Sequence, residues 1–188
     1  MSKSFKEAIL MKTKYFFALI LVAFLVAPLW AKGPNGPATP SGLTDSEKDN
    51  ILYLYEEEKL AHDIYVEMYN AYGAFIFNNI SESEQRHMDA VAKLISKYEL
   101  DNSALNNEPG VFNNGIIQDE YDRLLEKGKQ NLTSALEVGV EIEEMDIADI
   151  ERMLEQTDKT DIIRVLSNLL DGSNNHLEAF NTQLGLTP

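Results

Sequence analysis

Glu84 and His87 stand three residues apart in a stretch of helical character running from about Phe77 to Tyr98. Positions three apart share a helix face, so the carboxylate and the imidazole point the same way. That face is also the apolar one, because Phe77, Ile80, Glu84, His87, Val91, Leu94 and Tyr98 fall on one stripe at helical spacing. A core leucine would cost less at either position. The residue types found there instead are metal ligands.

Three other helical stretches are interrupted in the same way. The stripe Ile51, Leu54, Tyr55, Glu58, Ala61, Tyr65, Met68 and Tyr72 carries Glu58, while Glu56 and Glu57 fall on other faces and read as solvated. The stripe Leu132, Leu136, Val140, Glu143, Ile147, Ile150 and Leu154 carries Glu143 with Asp146 beside it; a phase error of one residue would promote Glu144 or Glu141 instead. The last stripe is Ile162, Val165, Leu166, Leu169, Ser173, His176, Phe180 and Leu184, with His176 in an interior slot. Taken singly, each interruption reads best as a satisfied polar group in a core. Together they do not, since buried carboxylates cost several kcal/mol unless paired or bound to a cation. Carboxylate and imidazole without thiolate suit iron or manganese, with zinc admissible, and ligands from four helices can hold two metals bridged by a Glu. Tyr55, Tyr65 and Ser173 are the candidates to hold ligand side chains in place. The third histidine, His62, lies at the edge of its helix face and reads as a surface or supporting residue.

The elements that must position these residues are legible from their ends. Thr44 with Glu47 three residues on resembles a capping box opening the first helix, and Gly73 closes it. The second helix ends near Glu99, followed by an Asn-rich crossover from Asp101 to Gly115. Ile116 to Lys127 reads as a short amphipathic helix stopped by Gly128, suited to packing across one end of a bundle. Thr133 or Ser134 is the expected cap of the third long helix, and Asp158 or Thr160 that of the last. Gly172 inside the last helix costs about 1 kcal/mol relative to Ala. No segment shows sustained strand alternation. The reading is all-α: a four-helix bundle with a long crossover containing a short extra helix.

Before this domain, Lys3, Lys6, Lys12 and Lys14 precede an apolar run from Tyr15 to Trp30 that closes on Ala31, the plan of a cleavable signal peptide over residues 1–31. The run is slightly short for the rival reading, an uncleaved membrane anchor. Residues 32–42 hold three Pro and three Gly and read as a flexible tether to a domain over 43–188. Cleavage would remove four Lys and Glu7, a net +3, taking the formal charge from -15 to -18. So acidic a chain argues against nucleic acid or an anionic membrane as partner. There is no Cys, hence no disulfide and no Cys-anchored lipid. The expected location is periplasmic or extracellular.

The wording of the helices carries a resemblance. Glu58-Lys59-Leu60-Ala61 with Tyr65 looks like the first helix of ferritin and rubrerythrin bundles, and Glu84-Gln85-Arg86-His87 matches their Glu-x-x-His. Together with Tyr55-Glu56-Glu57, Ala135-Leu136-Glu137-Val138-Gly139, Ile142-Glu143-Glu144, Asp146-Ile147, Gly172-Ser173 and Asn175-His176-Leu177, the chain from about Leu43 to Leu184 is similar to a prokaryotic ferritin-like family, domain of unknown function 2202. The resemblance implies a ferritin-like bundle with Glu58, Glu84, His87, Glu143 and His176 as ligands to two iron ions, or manganese, and Asp146 as a sixth. It departs at Ser173, where the family plan has a carboxylate three before the last histidine. The second metal is then weaker, exchangeable or absent unless Asp146 or Glu144 substitutes. The expected function is a di-iron oxidase or peroxidase type of redox protein acting on oxygen or peroxide. The competing readings are a metal-binding or storage module of the envelope without turnover, and a structural bundle whose polar interior pairs with Arg86 or Lys93. A homodimer is one candidate assembly.

Overall fold

The computed structural model describes residues 42–186, and these are all-helical, with no strand among the described residues. Five α-helices follow in order: α1 Asp45–Tyr72, α2 Phe75–Lys97, α3 Gly115–Gly128, α4 Leu132–Glu155 and α5 Thr160–Gln183. A 3-10 turn, Ser103–Asn106, sits in the crossover. The signal peptide and nearly all of the tether expected from the sequence lie outside the described residues. No described helix is long and apolar enough to cross a membrane.

Local chemistry sets the ends. Thr44 and Glu47 form the expected reciprocal capping box, satisfying two of the first-turn N–H groups. Gly73 adopts φ +64° and its N–H closes on the Tyr69 carbonyl, which lets α2 begin two residues later. Two expected caps are corrected. Asn131, not Thr133 or Ser134, caps α4 by accepting the Ser134 N–H at 2.9 Å. Neither Asp158 nor Thr160 caps α5, whose N-cap position is Lys159. An asparagine at that point in a turn can accept from its own helix, which frees Thr133 and Ser134 to be helical.

The main packing contacts run α1 to α2, α4 to α5, α1 to α4 and α2 to α5, while α3 docks on α1 and α4. The apolar interior falls into two clusters. One contains Leu60, Ile64, Tyr65, Met68, Phe77, Ile142 and Phe180, and takes in Tyr121 and Leu124 of α3. The other contains Ile51, Leu54, Met88, Val91, Ile150, Leu166 and Leu169. Between them every long helix contributes polar residues: Glu58, Glu84 and His87, Glu143 and Asp146, Ser173 and His176, all buried. The core is thus divided by one polar layer.

Helix α1 is enclosed more completely than its amphipathic pattern implies. Glu56, Glu57, Lys59 and Asp63 are buried as well, overturning the solvated reading of Glu56 and Glu57. For Glu56, Lys59 and Asp63 the cause is the crossover, which lies over the charged side of α1 and supplies partners to it. Asn114 N–H donates to Glu56 at 3.0 Å and Gly110 N–H to Asp63 at 2.8 Å. Lys59 Nζ, 2.6 Å from Asp63 and 2.9 Å from the Glu108 carbonyl, also sits 4.5 Å above the Phe112 ring. A lysine buried this way is stable because every donor faces an acceptor or a ring face.

Candidate metal centre

The α4 phase ambiguity has a direct answer. Glu143 is 1% exposed, Glu144 is exposed, and Glu141 turns outward to pair with Arg123 and Lys127 of α3 at 2.7 Å each. Leu132, expected inside, is exposed at the start of the helix. The stripe instead runs Ala135, Leu136, Gly139, Ile142, Glu143, Asp146, Ile150 and Met153.

Around Glu84 two groups of possible ligands form, Glu58 with Glu84 and His87, and Glu84 with Glu143 and His176. Glu84 belongs to both. Its Oε2 is 2.7 Å from His87 Nδ1 and its Oε1 is 2.8 Å from His176 Nδ1. His87 Nδ1 also lies 3.2 Å from Glu58 Oε2, and His176 Nδ1 lies 3.5 Å from Glu143 Oε2. Each imidazole Nδ1 therefore faces two carboxylates with at most one proton to give. The rings stack with centroids 5.5 Å apart.

Supporting bonds come from two of the three residues expected to give them. Tyr65 donates to Glu143 Oε1 at 2.7 Å, and Ser173 Oγ is 2.5 Å from Asp146 Oδ2. Ser173 thus orients a carboxylate from the neighbouring helix. Tyr55 lies elsewhere, in the apolar cluster with Leu54 and Met88. His62 turns to Asp63, 2.9 Å away, and belongs to neither ligand group.

Electrostatically the centre is held together by protons. Burial raises the Glu143 carboxyl to about 8, helped by the Glu84 charge and opposed by His176. Burial likewise lifts Asp146 to about 7, against the Ser173 hydrogen bond and with the Glu84 charge. Glu58 is raised well above the usual range by burial and by Asp146. For Glu84 burial is outweighed by hydrogen bonds from His176 and His87, which hold it down to about 2. Burial works against protonating the imidazoles, but Glu58 and Glu84 carry His87 up to about 11, and Glu143 and Glu84 carry His176 up to about 9. Arg86 and Lys93 are both exposed, so neither enters this layer.

The donor set fits a metal. Glu58 Oε1, Glu84 Oε1, Asp146 Oδ1 and His176 Nδ1 are buried atoms without a hydrogen bond, although Glu84 Oε1 and His176 Nδ1 are within ion-pair distance of each other. Within each of the two groups the donor atoms lie within 4.8 Å of one another, close enough to share one ion, whereas Asp146 belongs to neither group. The four carboxylates would be neutralised by about two divalent cations, with the imidazoles neutral.

Two residues that shape the centre escaped the sequence reading. Glu57, 3% exposed, lies on a second α1 stripe with Leu60 and Ile64 at three and seven residues on, a signal available in the sequence. Gly172 is the other. A Cβ there would meet His87 Nε2 at 2.6 Å, so the absent side chain is the room the ring occupies. Gly172→Ala should therefore keep or gain helix, since Ala is favoured by about 1 kcal/mol in a helix interior. It should also displace His87 and weaken divalent-metal binding about 10–100-fold. Calorimetric titration with manganous ion alongside circular dichroism checks both; an unchanged affinity would mean that the ring has space to spare.

Comparison with known proteins places these residues in a wider setting. The family described as "Uncharacterized protein domain (DUF2202)" matches residues 47–187. "Uncharacterized protein MJ0754" of Methanocaldococcus jannaschii is 45% identical over 138 residues, 73% of this chain and 75% of the relative. The crystal structure described as hypothetical protein MJ0754 from Methanococcus jannaschii superposes with a TM-score of 0.74 at 42% identity, covering 82% of this chain and 86% of that one.

Proposed function

The chain belongs to the DUF2202 family, and on that premise we propose that it is an exported ferritin-like protein whose buried centre binds two iron ions, or manganese, for redox chemistry with oxygen or peroxide. In this reading α1, α2, α4 and α5 form the four-helix bundle, with α3 in the crossover. The sharing of Glu84 between two carboxylate and histidine groups carries it. One metal would take Glu58, Glu84 and His87, and the other Glu84, Glu143 and His176. Asp146 would supply the carboxylate that Ser173 does not.

Bound iron would supply reactivity toward oxygen or peroxide. The chain's own part is to fix the donors and keep bulk water out. Tyr65 holds Glu143, Ser173 holds Asp146, and the two apolar clusters close the layer from either side. With no Cys in the sequence there is no rubredoxin-type centre, so electrons would come from outside the chain. Arg86 and Lys93, the cations of the structural reading, are at the surface, so that reading would rest on the pairs of Glu84 with His87 and His176 instead.

Anaerobic titration with ferrous iron followed by exposure to oxygen or peroxide tests the proposal. About two iron per chain is expected, with oxidation faster than that of free iron. Absence of stoichiometric binding would sink it, and tight binding without accelerated oxidation would leave a storage module.

A further inference from the structure

The apolar cluster on the Ile51 side of the polar layer is not filled to its end. A cavity with room for about one small molecule opens inside it. Its apolar walls are Ile51 and Leu54 of α1, Leu94 of α2, Met153 of α4, and Ile162 and Leu166 of α5, so all four long helices contribute. The register of each helix fixes its distance from the candidate metal centre. Leu54 precedes Glu58 by four residues, Leu94 follows His87 by seven, Met153 follows Asp146 by seven and Leu166 precedes Ser173 by seven. At a helical rise of about 1.5 Å per residue, the cavity lies about 6–10 Å along the bundle from the polar layer. The turn between them is formed by Val91, Ile150 and Leu169, all buried in the same apolar cluster.

The outer wall of the cavity is polar and thin. Glu47, Asn50 and Thr157 close it, and Glu47 and Thr157 also line a broad basin on the surface beside Gln156 and Lys159. One side-chain bridge thus parts the two spaces, with Thr157 Oγ donating to Glu47 Oε1 at 2.7 Å. Glu47 Oε2 accepts the Thr44 N–H at 2.8 Å, and Asn50 Nδ2 donates to Gln156 at 3.0 Å. Among the described residues, no buried side-chain polar atom in the cavity walls lacks a partner. A space of this kind holds water poorly, because a buried water needs polar partners of its own. Hydrogen peroxide would give up its hydration there without return, whereas dioxygen, an apolar diatomic, has none to lose.

We propose that this cavity is a binding site for dioxygen, entered from the surface basin past the Glu47–Thr157 bridge and leading along the bundle to the buried centre. The inference rests on the metal-centre reading and narrows it, since dioxygen and not peroxide is the oxidant that this path admits.

Xenon, which occupies apolar cavities, is the probe. Pressurising the metal-free wild-type protein with xenon should move the methyl NMR signals of Ile51, Leu54, Ile162 and Leu166, and leave those of Ile64 and Ile142 in the other cluster in place. Leu166→Phe fills the space and should abolish the xenon shifts. In ferrous-loaded protein the same substitution should slow oxidation by dioxygen severalfold, while iron content and the rate of anaerobic oxidation by hydrogen peroxide stay at the wild-type values. The wild-type xenon measurement keeps the test decisive where Leu166→Phe folds poorly. Unmoved cavity methyls in the wild-type protein would overturn the site and reduce it to a packing gap. Dioxygen and peroxide rates that change together in Leu166→Phe, or not at all, would overturn the path. Xenon binding in a protein that takes up no iron would overturn the metal centre, and the passage of dioxygen to it.

Discussion

Glu84→Gln should abolish binding at both metal positions, whereas Glu58→Gln and Glu143→Gln should each weaken one. The asymmetry follows from geometry, because Glu84 alone reaches both imidazoles, through Oε2 to His87 and Oε1 to His176. Gln preserves volume, so the fold is retained while the shared anionic ligand is lost. Metal held only by the native state stabilises it by about 2.7 kcal/mol at a free concentration one hundred times the dissociation constant. For a domain of this size that is roughly 5–10 °C in Tm. The wild-type protein should show such a rise on adding manganous ion, and Glu84→Gln should show almost none. Native mass spectrometry gives the stoichiometry independently. A Glu84→Gln protein that still holds about two ions would eliminate the bridging role.

Why α2 could be read almost completely from its residues, and α1 only in part, is a matter of how many neighbours each helix has. On α2 one face is buried, and every stripe member from Phe77 to Leu94 lies inside, Glu84 and His87 included. Helix α1 is covered by α2, α3, α4 and the crossover, so its buried arc is far wider than the stripe that a one-sided helix displays. Glu56 and Glu57 looked solvated because their coverings, Asn114 in one case and α4 in the other, are distant in sequence. The same limit applies to Asp146 and Ser173. Their separate positions on two stripes gave no sign that one hydroxyl would orient the other helix's carboxylate. Gly172 read as a weak point in α5 because helix propensity is local, whereas the His87 ring that needs its space belongs to another helix.

Stability of the metal-free protein should fall steadily as pH rises from mildly acidic values, and the metal-induced rise in Tm should grow over the same range. Asp146 at about 7 and Glu143 at about 8 hold protons in the fold that the unfolded chain releases near ordinary carboxylate values. Their contribution is therefore lost between about pH 4 and 8. His176 at about 9 and His87 at about 11 are raised above the unfolded imidazole value. Their stabilisation is complete below about pH 6.5 and disappears as pH climbs through those values. Glu84, held down to about 2, acts in the opposite sense, and its contribution is lost only as pH falls below the ordinary carboxylate range. A divalent cation needs carboxylates and neutral imidazoles, so it competes with these protons and gains affinity as they leave. The difference in Tm between manganous ion and a chelator should accordingly be larger at pH 8 than at pH 6. Melting curves across that interval would contradict the assignment if the difference shrank with rising pH, since protons and metal would then not be sharing the same side chains.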